Sequence, residues 1–142
     1  MAAVAFDSSA FVKLLVEEEG SYAAARLWAE ADLVVACRLA YPEVRAALAA
    51  ARRGFRLDGA GERRARATWE GFWSATRVVE LSEAVAIAAA VLTHRLVLGG
   101  ADAVHLASVL TLSEIDPVLV TWDRRLHTAA GEAGIRVAPA HF

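Results

Sequence analysis

Cysteine is nearly absent from this chain: Cys37 is the only one in 142 residues. A lone thiol excludes an internal disulfide framework, and a reducing, cytoplasmic location is the expectation. Lysine is equally scarce, with Lys13 alone, so nearly all of the 15 basic residues are arginines, the side chain suited to bidentate contacts with carboxylate or phosphate. Excess positive charge is missing too. The formal net charge is −2, whereas phosphate binders usually carry a strongly basic footprint. Local clusters at Arg52, Arg53 and Arg56, at Arg63, Arg64 and Arg66, and at Arg124 and Arg125 keep a basic patch open. Although 57% of the residues are hydrophobic, the longest apolar run, Ala84 to Leu92, falls well short of the roughly 20 residues that cross a bilayer. No membrane partner is expected. The opening "MAAVAFD" has neither the basic n-region nor the cleavage pattern of a signal peptide and reads as mature structure. No repeat, linker or low-complexity segment interrupts the chain, so a single domain over 1–142 with a real core is expected.

What is present is an alternation of short β-rich runs with longer stretches of helical period, the pattern of an α/β domain with a parallel sheet covered by helices. The expected strands are Val4 to Phe6, Leu33 to Ala36, Arg77 to Glu80, Val118 to Thr121 and Arg136 to Ala138. Between them, Ser8 or Ser9 caps a helix through Leu15, and another runs from Ser21 to about Ala31. Further helices are expected over Leu39 to Arg53, Gly61 to Ser74, Ser82 to about His94, from "GGAD" onward, and over Arg124 to Ala133.

In that layout Asp7 follows the first strand and Asp123 the fourth, so both face the carboxyl edge of the sheet, where open α/β sheets bind ligands. Asp102 opens a helix after Gly99 and Gly100, and Glu43 lies in the first turns of the helix after the second strand. Four carboxylates sharing one site repel each other, an arrangement best explained by divalent cations with oxygen ligands. No Cys/His set competes for zinc. Each acid has a plainer reading: aspartate is favoured at helix starts by capping and the macrodipole, and Glu43 can be a solvated residue paired with Arg45 or Arg38. The signal lies in the conjunction.

Other residues stay double-valued. His105, one turn from Asp102, can touch a substrate phosphate or be a hydrogen-bonded packing histidine. Thr121 shares the strand face of Asp123 and can hold a water at the site or serve as a β-branched strand residue. Trp69 and Trp73, at helical spacing, form one apolar stripe, and their helix is a candidate for a buried self-association or partner surface. Cys37 is expected to be a small buried hydrophobe.

The segments "VAFDSSAFVKLLVEEEGS", "LAYPEV", "ADAVHLASVL" and "VTWDRRL", in this order and spacing, resemble the PIN-domain ribonucleases, specifically VapC-like toxins of type II toxin–antitoxin systems. The resemblance covers essentially the whole chain. It implies a three-layer α/β/α domain whose central parallel sheet is ordered 3-2-1-4-5. It also implies an acidic quartet of Asp7, Glu43, Asp102 and Asp123 that holds Mg²⁺ or Mn²⁺, with Thr121 and Ser8 as supporting positions. A homodimer and a small VapB-like antitoxin are the partners it implies.

The implied chemistry is hydrolysis of RNA phosphodiester bonds by an activated water, with Arg124, Arg125 and His105 as weaker candidates for holding RNA. Those arginines can equally be a solvated face. A phosphoacceptor receiver domain also gathers acids at strand ends, but it needs an aspartate after its third strand and a lysine after its fifth. Here those places hold Glu80 and no lysine. A catalytically inactive PIN-like scaffold that binds protein or RNA is the remaining alternative, and retention of all four acids argues against it.

Overall fold

The computed structural model describes residues 2–142. Strand β1 (Ala3–Phe6) is apolar and buried at every position, as expected of a strand covered on both faces. It is followed by α1 (Ser8–Leu15), α2 (Ser21–Glu30), β2 (Leu33–Cys37), α3 (Ala40–Arg53) and α4 (Gly59–Ser74). The second half comprises β3 (Arg77–Val79), α5 (Glu83–Arg95), α6 (Gly100–Leu110), a 3₁₀ turn, β4 (Val118–Val120), α7 (Arg124–Glu132) and β5 (Val137–Ala138).

All strand pairs are parallel and their order is β3-β2-β1-β4-β5, as the resemblance implied. Side chains alternate across the sheet. Val4, Phe6, Val34, Ala36 and Val120 pack under Ala10 and Phe11 of α1, Val44 of α3 and Trp69 of α4. On the opposite face Ala5, Val35 and Leu119 meet α5, α6 and α7 through residues such as Val85, Leu106 and Leu126. Three layers result. Phe6 pairs with Val120, so the residues leaving β1 and β4 emerge side by side.

Several boundaries differ from the sequence expectation. Asp7, not Ser8 or Ser9, caps α1, because the extended backbone at the strand end (ψ 178°) turns directly into the helix and its side chain accepts from Ala10 N. Both serines therefore lie inside the first turn. Asp58 starts α4 at Gly59 rather than Gly61, and Thr121 and Glu80 lie just beyond their strands. The aromatic side of α4 is turned largely into the core. Trp69 is fully buried, 4.9 Å from Phe11, 5.8 Å from Tyr41 and 5.2 Å from Trp73 between ring centroids, so this stripe closes the chain's own core.

The open apolar surface lies on α5. This helix buries Val85, Ala89 and Leu92, while Ala84, Ile87, Ala88 and Val91 form an exposed stripe on another face. Gly20 holds the approach to the carboxyl edge: its φ is +94°, and a Cβ there would lie 2.7 Å from Trp122 Nε1. Only glycine meets both demands.

Candidate active site

Asp7 is a buried carboxylate whose oxygens are both engaged. Oδ1 accepts from Ser9 Oγ at 2.6 Å and from Ala10 N at 2.9 Å, and Oδ2 accepts from Thr121 Oγ1 at 2.5 Å. Burial raises its pKa above the ordinary carboxylate value, against those hydrogen bonds and the nearby His105. Ser9 also accepts the Trp122 amide at 2.8 Å, and Thr121, fully buried, accepts the Asp123 amide at 3.0 Å. Two hydroxyls thus lock the start of α1 to the segment after β4. Asp123 itself caps α7, with Oδ1 accepting from Leu126 N at 3.0 Å.

Glu43 is half-buried in the first turn of α3. Its Oε1 accepts from Ser8 Oγ at 2.7 Å and from His105 Nε2 at 2.6 Å. Burial would raise its pKa, but the bonds to His105 and Ser8 prevail and lower it. His105, 5% exposed, has its Nδ1 3.2 Å from Cys37 Sγ. Burial would lower the imidazole pKa. The hydrogen bonds to Cys37 and Glu43 outweigh it and hold the value at about 10. The resulting positive charge favours the ionised forms of Asp7, Glu43 and Asp102.

Asp102, half-buried in the first turn of α6, has the freest carboxylate, since no hydrogen bond reaches it among the described residues. Its pKa is raised by burial, then by Asp123 and, more weakly, by Asp7 and Glu43, against His105. Each of the other three acids is close enough to act on it electrostatically, so the four converge. Among the described residues, however, no three acidic, histidine or cysteine side chains already stand at ion-gripping distance. The all-oxygen donor set fits a hard divalent cation such as Mg²⁺ or Mn²⁺.

The sequence-derived residues fare differently. Asp7, Glu43, Asp102 and Asp123 come together, with Ser8 on Glu43 and Thr121 bridging Asp7 to Asp123. Thr121 is a buried hydrogen-bonding residue with no exposed surface to hold a water. His105 is the packing histidine, not a phosphate contact, because it is buried and both ring nitrogens are engaged. Glu43 pairs with His105 rather than with Arg45 or Arg38, which turn to Glu70 and Glu80. Arg124 and Arg125 are exposed at the start of α7, beside Asp123. Two contributors were not read from the sequence as part of the site: Ser9, whose signal was its place two residues after Asp7, and Cys37, whose signal was its place at the end of β2.

Such a fold and site define a class, the α/β domains that gather carboxylates at the carboxyl edge of a parallel sheet. Residues 4–132 match the PIN domain family, and the chain belongs to that family. It is 54% identical over 142 residues, covering 100% of this chain and 99% of the relative, to Ribonuclease VapC49 of Mycobacterium tuberculosis (strain ATCC 25618 / H37Rv). Among solved structures, FitAcB from Neisseria gonorrhoeae superposes with a TM-score of 0.71 at 19% identity over 94% of this chain and 95% of that one. A toxin–antitoxin complex from Klebsiella pneumoniae does so with a TM-score of 0.64 at 20% identity over 98% and 99%. At those identities the likeness is one of fold.

Proposed function

We infer that this chain is a PIN-domain ribonuclease, the toxin of a toxin–antitoxin pair, and we propose that it hydrolyses RNA phosphodiester bonds with Mg²⁺ or Mn²⁺ as one domain spanning 1–142. The convergence of Asp7, Glu43, Asp102 and Asp123 at one sheet edge carries the reading. Kinship across the full length with a ribonuclease supports it. Nothing in the site favours an inactive scaffold.

A bound cation would lower the pKa of a water into the nucleophilic range and offset charge growing on the phosphoryl oxygens. In this scheme Asp7, tied on both oxygens, is the rigid floor of the cation site, and Asp102 is the mobile carboxylate that closes on it. Among the described residues Glu43 and Asp123 each keep one oxygen without a protein donor, available to the ion directly or through water and able to orient the attacking water or take its proton. Arg124 and Arg125 hold the RNA backbone. The setting is cytoplasmic, and the partners are a VapB-like antitoxin and a second copy of the chain. No single helix among the described residues is long and apolar enough to cross a membrane.

The deciding experiment is an RNA cleavage assay with Mg²⁺, with Mn²⁺ and with EDTA, using Asp7→Asn as control. Cleavage by wild type with metal only, and none by the variant, is the expected result. Full activity in chelator would overturn the metal assignment.

A further inference from the structure

We propose that His105 and Cys37 are positioning residues that aim the Glu43 carboxylate, a role that rests on the cation-site reading above. Glu43 Oε1 takes two hydrogen bonds at once, from Ser8 Oγ at 2.7 Å and His105 Nε2 at 2.6 Å. Its other oxygen has no protein donor among the described residues. The imidazole that does this is itself held, because Nδ1 lies 3.2 Å from the buried Cys37 thiol. The Nε2–H donates to Glu43 whether Cys37 gives its S–H to Nδ1 or accepts the Nδ1–H.

The placement of the three residues extends the argument. Cys37 ends β2, the strand leading into α3, where Glu43 sits, and His105 lies one turn along α6 from Asp102. One buried hydrogen-bonded chain therefore ties the element that supplies Glu43 to the element that supplies Asp102. It fixes one Glu43 oxygen and leaves the other for the acidic centre. Partners that orient a ligating carboxylate in this way typically alter metal affinity or activity by about 10–100-fold when removed.

The test combines Mn²⁺ binding, read from the electron paramagnetic resonance of the free ion, with RNA cleavage kinetics. It compares wild type, His105→Leu, His105→Gln and Cys37→Val, each alone and with Glu43→Gln. We expect His105→Leu to weaken Mn²⁺ binding by about 10–100-fold and to lower kcat with KM little changed. His105→Gln, whose amide restores an N–H near the Nε2 position, should recover most of the loss. Cys37→Val should lose less, in the same direction. In the Glu43→Gln background the His105 and Cys37 substitutions should add nothing. The inference fails if folded His105→Leu binds Mn²⁺ as wild type does, or if its loss persists undiminished with Glu43→Gln. Should His105→Leu not fold, Cys37→Val decides by the same criteria. Wild type that neither binds Mn²⁺ nor cuts RNA would overturn the functional reading and this inference together, whereas intact binding in folded His105→Leu overturns this inference alone.

Discussion

Thr121 and Asp7 lie 114 positions apart and share a 2.5 Å hydrogen bond, in which the buried threonine hydroxyl donates to Oδ2. Thr121 Oγ1 in turn accepts the Asp123 amide at 3.0 Å, so one hydroxyl group serves two of the four acidic positions. Replacing Thr121 by valine keeps the shape and removes the hydroxyl, leaving a buried carboxylate oxygen and a backbone N–H without their partner. We expect Thr121→Val to lose about 1–3 kcal/mol of stability in a denaturant titration, and Thr121→Ser to retain most of it. Equal midpoints for the valine variant and wild type would show that the bond contributes nothing.

Asp102 carries the repulsion of the site most openly, since among the described residues no donor satisfies its carboxylate, and Asp123, Asp7 and Glu43 act on it against His105. Asp102→Asn should melt higher than wild type in EDTA, by roughly 2–4 °C for about 1 kcal/mol of relieved repulsion in a partly screened site. With Mg²⁺ added, wild type should gain more than the variant, because ligand binding stabilises only a fold that binds it. Asp123→Asn is the less clean probe, for Asp123 also caps α7. A variant that melts lower in EDTA and gains as much from Mg²⁺ would remove Asp102 from the site.

The metal-free protein should lose stability as pH rises above neutrality. Asp7 and Asp102 have raised pKa values in the fold, so the stability linked to their protonated forms is present in acid and lost as pH rises through those values. His105 acts in the same direction. Its folded pKa of about 10 stands above the ordinary 6.5, so its contribution is complete below 6.5 and fades towards 10. Glu43, with a lowered pKa, opposes this only in acid, where its contribution is lost as pH falls below 4.5. Melting curves in EDTA between about pH 5 and 9 should descend with pH. A flat or rising profile would contradict the assigned directions.

The α5 stripe predicts the oligomeric state. Ile87 is 58% exposed and Val91 51%, with Leu81 and Val97 open at either end of the helix, an apolar surface of the kind that marks an interface. Wild type should elute as a dimer in size-exclusion chromatography with light scattering, and Ile87→Glu should shift it towards monomer. A monomeric wild type at micromolar concentration would rule out self-association through this face.

The strands themselves and the place of Asp7 and Asp123 were legible because they rest on local signals, apolar runs between helical periods and an acid just after each of two strands, whereas the strand order came only from the family resemblance. The hydroxyl network was not, since Ser9, Thr121 and Asp7 meet only when β1 and β4 pair. The fate of the aromatic stripe on α4 was hidden for a similar reason. Spacing shows that Trp69 and Trp73 share a face but not that Phe11 and Tyr41 wait to cover it. His105 shows the limit for single residues, because its partners Cys37 and Glu43 lie on two other elements, 68 and 62 positions away.

The pairing of β1 with β4 also sets when the acidic site can form during synthesis. Asp7 leaves the ribosome 114 residues ahead of its partner Thr121, a delay on the order of ten seconds at ordinary rates of translation. Until that segment arrives, the four carboxylates have no common floor. The acidic site therefore cannot assemble until the segment after β4 has been made and has paired with the start of α1.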